Sequence, residues 1–405
     1  MYQLGLKTRI EEASSSMRGL QLWRVYHEGN DAPEGRVEEA EKCKFKHFGR
    51  AEHTSWSTEL ETDMRLMERS KLMELLNQKV NEVGGEIQWG KKLKGLEALE
   101  RGRTKAIFED NNTVDLDLVV GAEGTWSLVR RHILNARYGQ QEAEKKWIPE
   151  FQKASNIYGI SALSKCALPE AEIPKYALED THGCWLDRGH LTTSTLPGGV
   201  IRWDLQLAEI EDPPPLSTSR PSPASGIQPE EEQEKWISKI SAGAYPNERT
   251  VQLLKKHASA YHPVTGTFGR MLAASTRIFH SPLRQTAWGE KEIQSGNVVC
   301  IGDAAKVAMP SSGQGTSFAI EDATVLADCL LQFPLEEGSG GEDGGKGVGG
   351  GDKRALQEYA KRRVKRNKQV TQYATAGCEV GLGRTWYWRW TREVSSMLFE
   401  WSNNM

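Results

Sequence analysis

An apolar strand that runs into a glycine turn and then into the start of a long helix constrains this chain more than any other stretch. Asn297-Val298-Val299-Cys300-Ile301 leads to Gly302-Asp303-Ala304-Ala305, and Pro310-Ser311-Ser312-Gly313-Gln314-Gly315-Thr316 opens a helical pattern from Ser317 to Leu331. Gly302 lets the backbone turn sharply off the strand, and Asp303 places a carboxylate where a hydroxyl could donate to it. Gly313 and Gly315 leave bare amides free to approach an anionic edge or a pyrophosphate. The helix dipole favours negative charge at Thr316-Ser317. Ala319, Ala323, Leu326 and Leu330 recur at helical spacing and predict a core face. Strand, turn and helix together predict a site for a phosphorylated, polyhydroxylated cofactor, and a flavin nucleotide fits best.

The rest of the chain sets the frame for such a site. At 405 residues it is long enough for two or three domains, and a net charge of −3 argues against a coat for nucleic acid or an anionic membrane. Cys43, Cys166, Cys184, Cys300, Cys329 and Cys378 are scattered without a CxxC pair, which predicts reduced thiols. No apolar run reaches the roughly 20 residues of a membrane span, and Met1 is not followed by a leader pattern. The expectation is a soluble, cytoplasmic, small-molecule protein.

A second strand–turn–helix unit is expected upstream. The run Val114 to Val120 alternates and then turns apolar, ends at Gly121-Ala122-Glu123-Gly124, and leads into a helix from Ser127. Met1 to Arg65 reads as irregular structure and edge strands. Arg69-Ser70-Lys71 then enters a helix whose Leu72, Leu75, Leu76 and Val80 predict packing on a sheet. Ser155 to Ser161, His190 to Leu196 and Val200 to Leu205 read as strands of a mostly antiparallel layer fit to hold a substrate, interrupted by Pro213-Pro214-Pro215 and the Ser/Pro-rich 217–225. Within that layer Arg202, Trp203, Trp185 and His280 are candidates that the sequence does not rank, and no catalytic base is assigned. Residues 336–352, with nine glycines, predict a disordered insertion, and Lys353 to Gln372 a basic helix.

Several patterns carry little. Gly345-Lys346-Gly347-Val348-Gly349-Gly350 satisfies GxGxxG on paper, but no strand precedes it and no buried helix begins in it. Lys361-Arg362-Arg363, Lys365, Arg366 and Lys368 read as a solvated helix face rather than a nucleic-acid patch. Nine histidines without HxxxH or HExxH spacing predict no metal site. The tail residues Trp386, Tyr387, Trp388, Trp390, Phe399 and Trp401 read as a helix face docked on a core or a subunit partner, which leaves a homodimer open; a membrane-surface role is disfavoured.

Gly302-Asp303-Ala304-Ala305 with Pro310, Gly313-Gln314-Gly315 and Ala319-Ile320-Glu321-Asp322-Ala323 resembles the second flavin motif of the single-component, FAD-dependent aromatic hydroxylases, the salicylate-hydroxylase-like or para-hydroxybenzoate-hydroxylase-like monooxygenases. Asp117 to Gly124, with Ser127 and Arg130, is similar to their middle motif, and Arg69 to an arginine that contacts FAD. Glu123 stands where the family has Asp, and Lys306 where it has His.

The resemblance implies an α/β fold: an incomplete Rossmann-like FAD-binding domain (1–153 and 281–335), a mainly antiparallel β substrate domain (154–280) and C-terminal helices (353–405). It also implies an N-terminal βαβ unit with GxGxxG, which this sequence does not show. The implied cofactor-binding residues are Arg69, Gly302, Asp303, Pro310, Gly313, Gln314, Gly315 and Thr316. The implied activity is hydroxylation of an aromatic or related small organic substrate with O2 and NADH or NADPH through a flavin C4a-hydroperoxide. The competing expectation is a truncated, non-catalytic relative that binds FAD weakly or not at all.

Overall fold

Val200–Ala208 alternates Ile201, Trp203, Leu205 and Leu207 with Arg202, Asp204 and Gln206, so a strand here must show one face to a core and the other to polar company. It does so in the computed structural model of the chain, which describes residues 4–26, 45–52, 64–162, 179–209, 236–310, 313–333 and 353–403. The fold is α/β and divides into two compact units. The 217–225 loop, the 336–352 insertion, the GxGxxG pattern at 345–350, Cys43 and Cys166 lie outside the described residues.

One unit comprises Met1–Ile87, Lys153–Leu283 and Glu379–Met405. Its sheet runs in the order Ser275–Ala287, Glu150–Ala162, Val200–Ala208, Gly189–Leu196, Asp180–Leu186, Gly19–Val25, Phe45–Glu52. The Gly19–Val25 and Asp180–Leu186 strands pair in parallel, and the pairs on either side of them are antiparallel. The apolar face packs Trp23, Ile157, Leu191, Trp203, Leu205 and Leu207 against Trp236, Leu254, Phe268 and Met271.

Two expectations fail here. Gly19–Val25 is an interior strand with strictly alternating burial, not irregular or edge structure, because its partners come from residues 45–52 and 180–186. The Arg69–Glu82 helix buries Leu75 in a cluster with Leu6 and Ile10, so its partner there is the Lys7–Ala13 helix where a sheet was expected.

The other unit comprises Gln88–Gln152 and Arg284–Cys378. The single strand expected over 114–120 is two strands in two sheets. Thr113–Leu116 pairs antiparallel with Thr104–Phe108, whereas Val119–Gly121 pairs in parallel with Val298–Cys300. The break falls at Asp117-Leu118, where the Asn297 amide donates to the carbonyls of Leu116 (3.2 Å) and Asp117 (3.0 Å). The Leu128–Tyr138 helix follows, its N-terminus capped by Ser127.

The Gly315–Gln332 helix buries Phe318, Asp322, Leu326 and Cys329. Its core face is therefore rotated from the expected Ala319, Ala323 and Leu330, and Ala323 is exposed. Apolar spacing could not reveal that the centre of the face is a carboxylate.

The Arg354–Leu382 helix extends beyond the expected basic segment. Arg363 within it is 3% exposed, which corrects the reading of a wholly solvated basic face. The Trp386–Asn403 helix points Arg392 and Ser396 inward and leaves Trp386 and Trp390 exposed, which corrects the expectation of docking on a core. Arg392 donates to the carbonyl of Leu186 at 3.0 Å, so the buried guanidinium has a hydrogen-bond acceptor. Among the described residues no helix is long and apolar enough to cross a membrane.

Candidate functional site

The two strand–turn–helix units lie side by side. Val119, Val120 and Gly121 pair with Val298, Val299 and Cys300, and the Ile301 amide donates to the Gly121 carbonyl at 2.9 Å. Both turns therefore open at the same end of a parallel pair, where α/β sheets place their ligands.

Gly302 adopts φ +59°, and a Cβ built on it would lie 3.3 Å from the Ala319 Cβ, so the turn rests directly on the first turns of the Gly315–Gln332 helix. Only glycine reaches this geometry without strain. Asp303 in the same turn is exposed. The approach to the helix bends at Pro310, whose carbonyl accepts the Gly313 amide at 2.9 Å, and Gly313 sits at φ +63° with nothing within 4 Å of a would-be Cβ.

The first amide bonded within the helix is that of Phe318, to the Gln314 carbonyl at 2.9 Å, and the N-cap Gln314 makes no side-chain cap. The amides of Gly315, Thr316 and Ser317 thus begin an 18-residue helix at exposed positions, with the positive end of its dipole behind them. A helix start with no capping side chain, and with bare backbone at Gly313 and Gly315, suits the anionic edge of a flavin. An exposed carboxylate one turn away suits a hydroxylated chain.

Buried charge holds this arrangement. The Asp322 carboxylate accepts the Gly302 amide at 2.8 Å, the Lys306 ammonium at 3.0 Å and Arg363 Nε at 2.6 Å. Arg363 also binds Glu321. Lys306, whose effect the sequence left open, is thereby a buried cation with a carboxylate partner.

Arg130 bridges the two motifs. It donates to the carbonyls of Ala304 (2.8 Å), Thr125 (2.6 Å) and Trp147 (3.1 Å), and its guanidinium lies 3.7 Å over the Trp288 ring. Burial pushes it down to about 10. Glu123 accepts the Val129 amide at 2.8 Å and so helps start the Leu128–Tyr138 helix. Burial also pushes the Cys300 thiol up to about 12, which makes it a packed residue rather than a nucleophile.

In the other unit, the structure separates the four unranked candidates. Trp203 is fully buried and donates to Ser275 Oγ at 3.1 Å. His280 is buried against Tyr245, its ring bonded to Thr250 Oγ1 at 2.9 Å, and burial pushes it down to about 3. Trp185 lies under the Arg392 guanidinium. These three pack. Arg202 stands on the opposite face of the sheet from Trp203, half-exposed, and forks onto both oxygens of Asp204 at 2.8 and 3.0 Å.

Around Arg202 lie residues that the sequence reading missed. Tyr158 faces Asp204 across the strand pair and stacks on Phe279 (5.1 Å, 19°), and the Arg277 guanidinium is 4.5 Å from the Phe279 ring. Asn156 donates to Asp204 at 3.3 Å, and its Oδ1 has no protein partner. Burial is the main cause that raises the Tyr158 phenol, with Asp204 adding to it, while Arg202, Arg277 and Arg69 oppose it. Arg69, exposed at the start of its helix, therefore belongs to this electropositive, aromatic-floored patch. Burial likewise pushes Asp204 up against the pull of Arg202. The signal was present in the alternation of Val200–Ala208, which puts Arg202 and Asp204 opposite the core.

Comparison with known proteins meets this geometry. The profile of the family described as "FAD binding domain" matches residues 216–374. YetM of Bacillus subtilis (strain 168) is 28% identical over 309 residues, 75% of this chain and 64% of that protein. The 3-amino-4-hydroxybenzoate 2-monooxygenase of Streptomyces cremeus is 24% identical over 275 residues, 66% of this chain and 50% of that protein. The chain thus spans between half and two-thirds of the length of these relatives. In fold it is similar to Klebsiella pneumoniae HpxO complexed with FAD and uric acid, with a TM-score of 0.65, 16% identity, and coverage of 99% of this chain and 80% of that one. It is also similar to the 2,6-dihydroxypyridine-3-hydroxylase of Arthrobacter nicotinovorans, with a TM-score of 0.59, 15% identity, and coverage of 95% and 81%. The chain is thus similar over residues 216–374 to the FAD binding domain family, and over 66–75% of its length to FAD-dependent monooxygenases of low identity.

Proposed function

We propose that this protein is an FAD-dependent monooxygenase that uses O2 and NADH or NADPH to insert one oxygen atom into an aromatic or related planar organic substrate. The observation that carries the reading is the Gly302–Asp303 turn resting on the uncapped start of the Gly315–Gln332 helix. The residues would hold the flavin as follows. Asp303 would accept hydrogen bonds from the ribityl hydroxyls. The amides of Gly315 and Thr316 would stabilise the flavin edge where negative charge accumulates on reduction. Gly302, Pro310, Gly313 and Gln314 shape the approach. When bound, FAD supplies the redox and oxygen-activating chemistry.

The protein's own share is electrostatic and positional. Helix-terminal amides already in place stabilise developing negative charge without reorganisation. On the sheet face, Tyr158 and Phe279 offer a flat apolar floor. Arg202 and Arg277 favour a substrate with an anionic or strongly polar group, and Asp204 with Asn156 offers hydrogen-bonding positions. Planar ring compounds named for the relatives, an aminohydroxybenzoate, a dihydroxypyridine and uric acid, agree with such a floor.

The test is a visible spectrum of the purified 405-residue chain with added FAD, before and after gel filtration. Retained flavin absorbance that is lost in Asp303→Ala supports the reading. A colourless protein at saturating FAD favours a non-catalytic relative. NAD(P)H oxidation that places no oxygen from O2 in the product would make it a reductase instead.

A further inference from the structure

A buried lysine is an expensive way to fill space unless its charge is used. Lys306 is 3% exposed, and its ammonium lies against the Gly315–Gln332 helix at Asp322 and Phe318. It shares Asp322 Oδ2 with the Gly302 amide, at 3.0 and 2.8 Å. It also lies 5.5 Å from the ring centroid of Phe318, the residue whose amide makes the first hydrogen bond of the helix.

We propose that Lys306 is a positioning residue for flavin binding: its positive charge keeps the Asp322 carboxylate seated on the Gly302 amide and so holds the Gly302–Asp303 turn against the helix start. The inference rests on the flavin reading and deepens it.

Arg363 holds the other oxygen of Asp322 at 2.6 Å while also pairing with Glu321, which Arg366 pairs with in turn. Without an ammonium on Oδ2, the carboxylate keeps one charged partner, Arg363 on Oδ1, and only a neutral amide on Oδ2. It then swings toward Arg363, and the Gly302 amide loses its acceptor. A neutral side chain of similar length cannot prevent this, whereas any cation that reaches Oδ2 can. The charged and titratable groups around Lys306 are Asp322 on the Gly315–Gln332 helix, with Glu321 beside it, and Arg363, Arg366 and Tyr359 on the Arg354–Leu382 helix. Their balance makes charge at residue 306 the variable.

The experiment is flavin-fluorescence titration of the full chain for the wild type, K306R, K306M and K306H, from about pH 5.5 to about pH 8.5, a range that brackets an ordinary histidine. Wild type and K306R should bind FAD alike throughout, and K306M about tenfold or more weaker at every pH, as loss of one charge-assisted contact implies. K306H should match the wild type at the acid end, where imidazolium is cationic, and approach K306M at the alkaline end. A merely space-filling lysine predicts a flat K306H profile and K306M binding within twofold of wild type, and either result overturns the proposal. If K306M does not fold, the K306H profile decides alone, because one folded variant is compared with itself across pH. A wild type that binds no FAD overturns the flavin reading and the inference with it; a wild type that binds while the variants are unchanged overturns only the inference.

Discussion

Arg130 Nη1 donates to the carbonyl of Ala304 at 2.8 Å, across 174 positions of sequence, and so ties the start of the Leu128–Tyr138 helix to the glycine turn of the other motif. The same guanidinium satisfies Thr125 and Trp147 and covers Trp288. Replacing it with methionine keeps much of the packing volume and strands four carbonyls, one in a buried bond and three partly buried. Arg130→Met should therefore lower stability by about 3 kcal/mol, read as a fall in the urea midpoint. A loss under about 0.5 kcal/mol, the range of surface substitutions, would show that the bridge carries no load.

Gly302 sits at a positive φ with Ala319 3.3 Å from its would-be Cβ. Gly302→Ala meets both a left-handed backbone and a tight neighbour, and should cost about 1–3 kcal/mol. It should also weaken FAD binding, because the turn can relax only away from the helix. Gly313→Ala, at a similar φ but with open space around it, should cost less stability. Thermal unfolding of the two variants side by side checks the order, and equal losses would count against the packing argument.

Arg202 and Trp203 are adjacent in sequence and opposite in role. Arg202→Met should raise KM for an anionic ring substrate about tenfold or more, the scale of one charge-assisted hydrogen bond, with little change in Tm. Trp203→Ala should do the reverse and destabilise by about 3–5 kcal/mol through a core cavity. Substrate-stimulated NAD(P)H oxidation and calorimetry separate the two, and an unchanged KM in Arg202→Met would remove the sheet face from substrate binding.

His262 and His280 are buried and held neutral, His280 down to about 3 and His262 well below its ordinary value, chiefly by burial. Their folded affinities for a proton lie below the unfolded value, so below about pH 6.5 the unfolded chain binds protons that the folded chain does not. Stability should therefore fall as pH drops from about 6.5 toward about 3, with each histidine adding a slope of about 1.4 kcal/mol per pH unit. Urea midpoints in that interval should show the decline, and His280→Gln should flatten it by one proton. An unchanged slope in the variant would mean that His280 titrates normally.

Where a local pattern carries its own physics, the chain could be read directly. The strand–turn–helix at 297–331 follows from apolar run, glycine and dipole, which depend on neighbours in sequence, and the structure has it as Val298–Cys300, a turn at Gly302–Ala304 and Gly315–Gln332. The antiparallel strands near 155, 190 and 200 follow from alternation in the same way. Partners could not be read, because pairing is a property of residues far apart in sequence. That Asp322 is a buried hub was invisible until Lys306 and Arg363 were brought to it, since spacing alone made it a polar break in an apolar face. Gly19–Val25 looked peripheral because both of its flanking strands come from elsewhere. Local chemistry determined that a strand, a glycine turn and a helix start follow one another; only the tertiary structure decided which buried charges hold the turn and which face of the sheet stays open, because burial and ion pairing are set by contacts the linear order does not record.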